Sequence, residues 1–395
     1  MKQKNCIVVR SKQTALTRMQ IIFMVCCTIN AENRSSRFGL SDSHSRPTRS
    51  TCLPESTWAT STINPNAGEA LNNLGTLLRL EKRYDEAIDA FQRSIAIAPR
   101  NADTFQNLGN ALRAAERFDE ALTAYRKAIE IDPVHTDAHL NLGRALYSFG
   151  RVDEATIVYS KWLEADPDNA IAQHMLAACR GDQVPQRCSD AFVKESFDAF
   201  AGSFDEVLQR LDYRAPELVA GAVSDAIPKR QRQLRVLDAG CGTGLCGESL
   251  RPYANRLVGI DLSPKMVEKA GLLNVYDELL EAELTHYMAG FCNEFDLIVS
   301  ADTLVYFGAL EDVFAAANES LRPGGLLVFT VEEADAGECL DGYRLNPHGR
   351  YSHTRQYIES GLRRAGFETA TIDHETLRKE VNEPVAGLVV TAQLE

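Results

Sequence analysis

Long apolar runs are missing: the longest in this 395-residue sequence, Ile21 to Ile29, covers nine residues, whereas a helix crossing a bilayer needs about 20. No membrane-spanning segment is expected. Paired cysteines are missing as well. The ten cysteines are scattered, four of them within the first 52 residues, and no Cys/His set has zinc-ligand spacing, which argues against a metal site and for a reducing compartment. Positive charge is scarce beyond residue 63: nine Lys/Arg and three Asp/Glu precede that point, leaving 33 against 52, a net charge of −19. A body that acidic is a poor non-specific partner for phosphate backbones or anionic membranes, so nucleic acid is not an expected partner. Apolar material is plentiful at 45% of residues, enough for the packed cores of two or three domains.

Residues 1–63 read as a disordered leader or as the product of a start codon placed too early. Basic residues before Ile21, with Ala31 after the apolar run, also fit a signal peptide, and the Arg/Ser-rich stretch to Ser50 fits a mitochondrial transit peptide. The cytoplasm is the expected compartment, with mitochondria as the alternative.

From about 64 to 180 the sequence repeats. Leu74-Gly75, Leu108-Gly109 and Leu142-Gly143 recur every 34 residues, as do Ala87, Ala121 and Ala155, and then Pro99, Pro133 and Pro167. Each unit (68–101, 102–135, 136–169) predicts two amphipathic helices, the glycine admitting a close helix crossing and the proline ending the second helix. One unit cannot bury its apolar face alone, and 170–180 supplies a capping helix. This pattern resembles the tetratricopeptide repeat family. The resemblance implies a concave surface for a protein partner or for self-association, with a purely structural spacer as the alternative. Trp162 departs from the family's small residue and predicts packing against something large. Residues 181–189 read as a linker, so a fragment starting near Val184 is expected to fold.

Beyond residue 190 short apolar strands alternate with amphipathic helices, predicting an α/β Rossmann-like domain over 190–395. Its seven strands are expected at 235–238, 257–261, 279–282, 295–300, 326–330, 368–372 and 385–391. The chemistry begins at Asp238, followed by Gly240, Gly242 and Gly244. A strand ending in an acid and a glycine-rich turn brings backbone close to a ligand laid across the strand ends. Asp261 ends the second strand with a carboxylate suited to both ribose hydroxyls. Gly242, Gly244 and Gly247 also satisfy the nicotinamide-cofactor expression, yet Asp238 and Gly240 already occupy the turn that expression would need.

These features resemble the class I S-adenosylmethionine-dependent methyltransferases, in particular the small-molecule branch that includes ubiquinone-biosynthesis and trans-aconitate methyltransferases. The resemblance implies S-adenosylmethionine as cofactor, with Asp238, Gly240, Gly242 and Gly244 at its methionine part. It also implies Asp261 at the ribose, and Leu262, Met266, Glu283 and Leu284 around the adenine. Leu321 to Gly325 matches the family's turn signature before the fifth strand. The aromatic residues Phe197, Phe200, Phe204 and Tyr213 resemble the branch's N-terminal lid, or else form a helical stripe packed on the sheet.

Methyl transfer from a sulfonium needs alignment and, for a protonated acceptor, a base. Asp302, Tyr306, His348 and His353 are the candidates, none singled out. The long segment 332–353 is expected to be an acceptor loop in which Arg344 and Arg350 fix an anion and Tyr343 and Tyr351 wall the pocket. Cys241 and Cys246 have no histidine placed by sequence to activate them, so covalent catalysis is not expected. The leading expectation is methylation of a small, anionic acceptor, with the repeats serving assembly or recruitment. The alternatives are a methyltransferase whose protein or peptide substrate lies in the repeat groove, and a non-catalytic interaction protein.

Overall fold

The computed structural model describes residues 65–395, apart from 182–183, 203, 228–232, 336, 338, 340 and 381–382. The leader and the expectations attached to it lie outside the described residues. The chain divides into two compact units between Gly150 and Arg151. Among the described residues no helix is long and apolar enough to cross a membrane.

The first unit contains α1 (Pro65–Leu80), α2 (Tyr84–Ile97), α3 (Ala102–Ala114), α4 (Phe118–Ile131) and α5 (Thr136–Ser148). The 34-residue period has a steric cause. A Cβ on Gly109 would stand 2.4 Å from the Tyr125 ring, and one on Gly75 would stand 2.7 Å from Phe91. The first helix of each of these repeats thus takes the aromatic ring of the second directly against its backbone. Ala87 and Ala121 are buried in the second helices. Asn101 caps α3 by accepting from the Thr104 amide, and the His135 ring does the same for α5 from Ala138.

The second unit opens with α6 (Val152–Ala165) and α7 (Ala170–Arg180), which continue the period. Trp162 is completely buried. Asn169 caps α7, and Gly181, left-handed at φ 67°, ends it. The described part of 181–189 is not a free linker. The Gln186 carbonyl accepts from the amides of Gly308 and Ala309, the Cys188 amide donates to Tyr306, and the Tyr351 hydroxyl donates to the Pro185 carbonyl. Those backbone groups are satisfied by protein rather than by water.

There follow α8 (Asp190–Phe200), α9 (Phe204–Arg210), α10 (Ala215–Ala226), β1 (Leu234–Ala239), α11 (Gly247–Leu250), β2 (Ala254–Asp261), α12 (Pro264–Gly271), β3 (Glu278–Glu281), α13 (Leu284–Met288) and β4 (Phe295–Ser300). The chain continues through α14 (Glu311–Ser320), β5 (Leu321–Glu333), β6 (Tyr343–Leu345), β7 (Tyr351–His353), α15 (Arg355–Arg364), β8 (Phe367–Glu380) and β9 (Glu383–Leu394). Strands β3, β2, β1, β4 and β5 lie side by side and parallel; β9 runs antiparallel to β5 and β8 antiparallel to β9. Successive apolar residues go to opposite faces. Leu237, Val258, Ile298 and Leu327 join one core cluster, while Val236, Leu257, Leu297 and Val328 join the other. A sheet covered on both faces needs such continuous apolar strands.

All seven expected strands are present. The segment 332–353 departs from expectation: rather than an irregular loop, it contains β6 and β7, an antiparallel pair whose β7 edge adds to the end of β5 at Glu332 and Glu333. Tyr343 and Tyr351 accordingly join an aromatic cluster with His353 and Tyr357.

Candidate active site

The residues expected at a cofactor gather at the C-terminal ends of β1 and β2. Asp238 is 1% exposed and accepts a 2.7 Å hydrogen bond from the Tyr276 hydroxyl. Burial pushes its carboxyl up to about 7, against the downward pull of that bond. The glycines divide their work. A Cβ on Gly247 or Gly259 would stand 2.9 Å from the Tyr276 ring, and one on Gly244 would stand 2.8 Å from Leu273 and 3.1 Å from that ring. These three glycines clear space for the tyrosine that reaches Asp238. Gly240 clears space for Thr303, whose hydroxyl would lie 2.3 Å from an added Cβ. Gly242 is different, because its φ is +53° and, among the described residues, nothing lies within 4 Å of where a Cβ would be. It is the bare stretch of backbone that a ligand can approach.

The Asp261 carboxylate accepts from the Gly242 and Ser263 amides at 3.0 and 2.8 Å. Burial raises its pKa, and those amides oppose the rise. The preceding helices reach the same place. Asp198 on α8 accepts from the Ser263 hydroxyl at 2.6 Å, and Asp205 on α9 accepts from the Thr243 hydroxyl at 2.7 Å. Phe197 meets Tyr306 edge-on at 5.4 Å and Phe204 at 6.0 Å. Leu262 is half-buried beside Asp261, and Met266 is buried in the first turn of α12. Two expected adenine contacts have other work. The Glu283 carboxylate caps α13 by accepting from the amides of Thr285 and His286, and Leu284 is buried in a core cluster.

Facing this, at the ends of β4 and β5, is a charge network. Asp302, left-handed at φ 54°, takes both carboxylate oxygens to Arg378 at 3.0 Å. Glu332 pairs with Arg378 and with Arg350, the latter at 2.7 Å; Glu380 pairs with both arginines, 2.8 Å from Arg378. Burial would raise Glu380, and the guanidiniums of Arg350 and Arg378 overbalance it and hold the carboxyl at about 2. Tyr213 and Tyr306 border these charges, and burial lifts both phenols.

The network alters three sequence readings. Arg350 is committed to Glu332 and Glu380, so it is not a spare anion binder. Tyr343 and Tyr351 are packed into the aromatic cluster rather than lining a pocket, Tyr351 being completely buried. His353 is also fully buried, its Nε2 2.9 Å from the Gly308 carbonyl, and burial pushes it down to about 4; it is a core group, not a base. Arg344 stands exposed on β6. His348 remains open. Its side chain is 26% exposed, its Nε2 lies 3.5 Å from Glu332, and its Nδ1 is a buried ring nitrogen without a hydrogen-bond partner among the described residues. Burial and then Arg350 push it down to about 4, against the pull of Glu332. Cys241 and Cys246 are buried, with thiol pKa values well above the ordinary range.

Sequence reasoning missed Tyr276 and Arg378. Arg378 enters through a bulge in β8: the register shifts between Thr376 and Arg378, so that both Leu377 and Arg378 are buried, where strict alternation would expose one. Neither residue has a local signature.

Both the repeats and the sheet domain resemble known proteins. Residues 211–372 match a family model described as a methyltransferase domain, and residues 66–133 and 107–170 match two tetratricopeptide repeat models. The chain is 31% identical over 147 residues to a malonyl-[acyl-carrier protein] O-methyltransferase of Enterobacter lignolyticus, covering 36% of this chain and 58% of that protein. It is 31% identical over 140 residues to methyltransferase-like protein 27 of Homo sapiens, covering 34% and 55%. A ubiquinone biosynthesis O-methyltransferase of Thiobacillus denitrificans is 29% identical over 153 residues, covering 34% and 65%. The chain thus spans less than two thirds of the length of the curated relatives it matches. Its matched segments are tetratricopeptide repeats followed by a methyltransferase domain.

Proposed function

We propose that this chain transfers a methyl group from S-adenosylmethionine to an oxygen of a small-molecule acceptor, with residues 190–395 as the catalytic domain and the repeats over 64–180 serving assembly or recruitment of a partner. The reading is carried by one observation: the bare backbone at Gly242 lies between the buried carboxylate of Asp238 and the half-buried one of Asp261, at the ends of adjacent strands. Asp238 suits the cofactor's ammonium group and Asp261 its ribose hydroxyls, while S-adenosylmethionine itself supplies the methyl group. Oxygen is favoured because relatives carry the name O-methyltransferase.

On the acceptor side, His348 is the group suited to take a proton, since it is neutral at physiological pH, partly exposed and backed by Glu332. Arg350 and Arg378 are neutralised internally by three acids, so neither is spare to bind an anionic acceptor. The test is metabolite profiling of cells with and without the protein. A compound gaining one methyl mass should accumulate with the wild type and be absent with Asp261→Ala, whose affinity for S-adenosylhomocysteine should fall at least about ten-fold by calorimetry, from loss of charge-assisted bonds worth roughly 1.5–3 kcal/mol each. His348→Gln should retain that affinity and lose the product. Unchanged affinity in a folded Asp261→Ala would remove the basis of the reading.

A further inference from the structure

The helix that closes the repeat periodicity reaches the acceptor wall. His174, in the middle of α7, is 5% exposed, and its Nε2 lies 2.9 Å from the Gly349 carbonyl. A carbonyl oxygen only accepts, so Nε2 carries the proton. The buried Cys188 thiol lies 3.4 Å from the same nitrogen, and the Phe192 ring centre is 4.1 Å from the imidazole. The next residue of α7 acts on the same spot. Gly349 has φ +92°, and a Cβ on it would stand 2.9 Å from the Met175 Sδ.

Gly349 sits between the two residues that matter on the acceptor side. Its turn is closed internally, the Gly349 amide donating to Asn346 and the Asn346 amide to Arg350. From that turn Arg350 reaches Glu332 and Glu380, and His348 stands 3.5 Å from Glu332. The turn has little backbone pairing of its own beyond the short β6 and β7, so its position depends on what holds its tip.

We infer that His174 is a positioning residue for the acceptor side of the methyltransferase site: by holding the Gly349 carbonyl it fixes the 346–350 turn, and so sets where His348 and Arg350 stand against Glu332. The inference rests on the reading of that wall as the acceptor side, while its test follows the turn itself. The charged groups around His348 are Arg350, Glu332, Glu380 and Arg378, and a His348 released from them titrates near the ordinary histidine value of about 6.5.

The experiment uses full-length protein with 13C-labelled histidine rings, the His348 signal being assigned by its loss in His348→Gln. Between about pH 5 and pH 8 the wild-type His348 should show no titration, and His174→Ala should bring its midpoint into that range. His174→Gln, whose amide N–H can donate to the same carbonyl, should restore the wild-type behaviour. Affinity for S-adenosylhomocysteine should stay within about two-fold throughout, which separates a displaced turn from a damaged fold. A silent His348 in His174→Ala overturns the inference, and so does a midpoint that moves as far in His174→Gln as in His174→Ala. Should His174→Ala lose cofactor binding, Gly349→Ala, which strains the same turn from the other side, is read by the same two outcomes. A wild-type protein that fails to bind S-adenosylhomocysteine yet shows these midpoints overturns the proposed function and leaves this inference standing.

Discussion

Burial lifts the Asp238 carboxyl to about 7, well above the ordinary aspartate value of about 3.9. The folded chain therefore binds that proton more tightly than the unfolded chain does. Between roughly pH 4 and pH 7 the native state holds more protons, so this group's contribution to stability falls as pH rises through that window and is fully lost above it. In the proposed function the same carboxylate meets the cofactor's ammonium group. Asp238→Asn should thus raise the melting temperature of the ligand-free protein, more near pH 8 than near pH 5, while weakening S-adenosylhomocysteine binding at least about ten-fold. A variant that melts lower than wild type near pH 8 would show that the charge is already compensated. Asp238 and Asp261 were legible in the sequence because a strand-ending acid beside glycines has few structural uses. Tyr276 was not, since it lies far along the chain and only the folded sheet brings its ring over Gly244, Gly247 and Gly259.

At the level of elements, periodicity separates what could be read from what could not. Short continuous apolar runs located the seven main strands because both faces of the sheet are buried. The short β6 and β7 went unseen: three residues each is too little for a period-2 pattern to declare itself. The β8 bulge was equally hidden, since it breaks the pattern by which a strand is recognised. That bulge has an energetic consequence. It brings Arg378, 2% exposed, among Asp302, Glu332 and Glu380, and burial opposes its charge while the three acids raise its pKa. Arg378→Met removes one of the two cations that the three acids share, a change of about 3–5 kcal/mol for breaking a buried pair. The denaturation midpoint should fall accordingly at neutral pH, and the deficit should shrink as pH drops toward 4 and the acids protonate. A uniform deficit across pH would trace the loss to packing instead.

Across the whole chain, a 34-residue period is legible at a glance, but where one folding unit gives way to the next is not, because the period runs through the division. The repeats over 68–169 continue unbroken past Gly150, whereas the compact units divide between Gly150 and Arg151. Sequence pattern reports how residues recur, and packing decides which of them share a core. Helix α7 lies in the second unit with the sheet, its His174 held to Gly349 and packed on Phe192, and the chain leaving it is hydrogen-bonded to 306–309. Two fragments should therefore differ. One beginning at Arg151 retains α6 and α7; one beginning at Val184 lacks both and uncovers Cys188, Phe192 and Tyr351, all buried in the intact chain. Uncovering two large side chains costs about 3–6 kcal/mol, which for a fragment of this size lowers the melting temperature by at least about 6 °C. The Val184 fragment should still bind S-adenosylhomocysteine, since Asp238, Gly242 and Asp261 lie far from α7 in sequence and on the other strand ends. Its amides over 346–351 should exchange faster with deuterium than those of the Arg151 fragment. Equal melting temperatures and equal exchange in the two fragments would show that the methyltransferase domain closes its own core without α7.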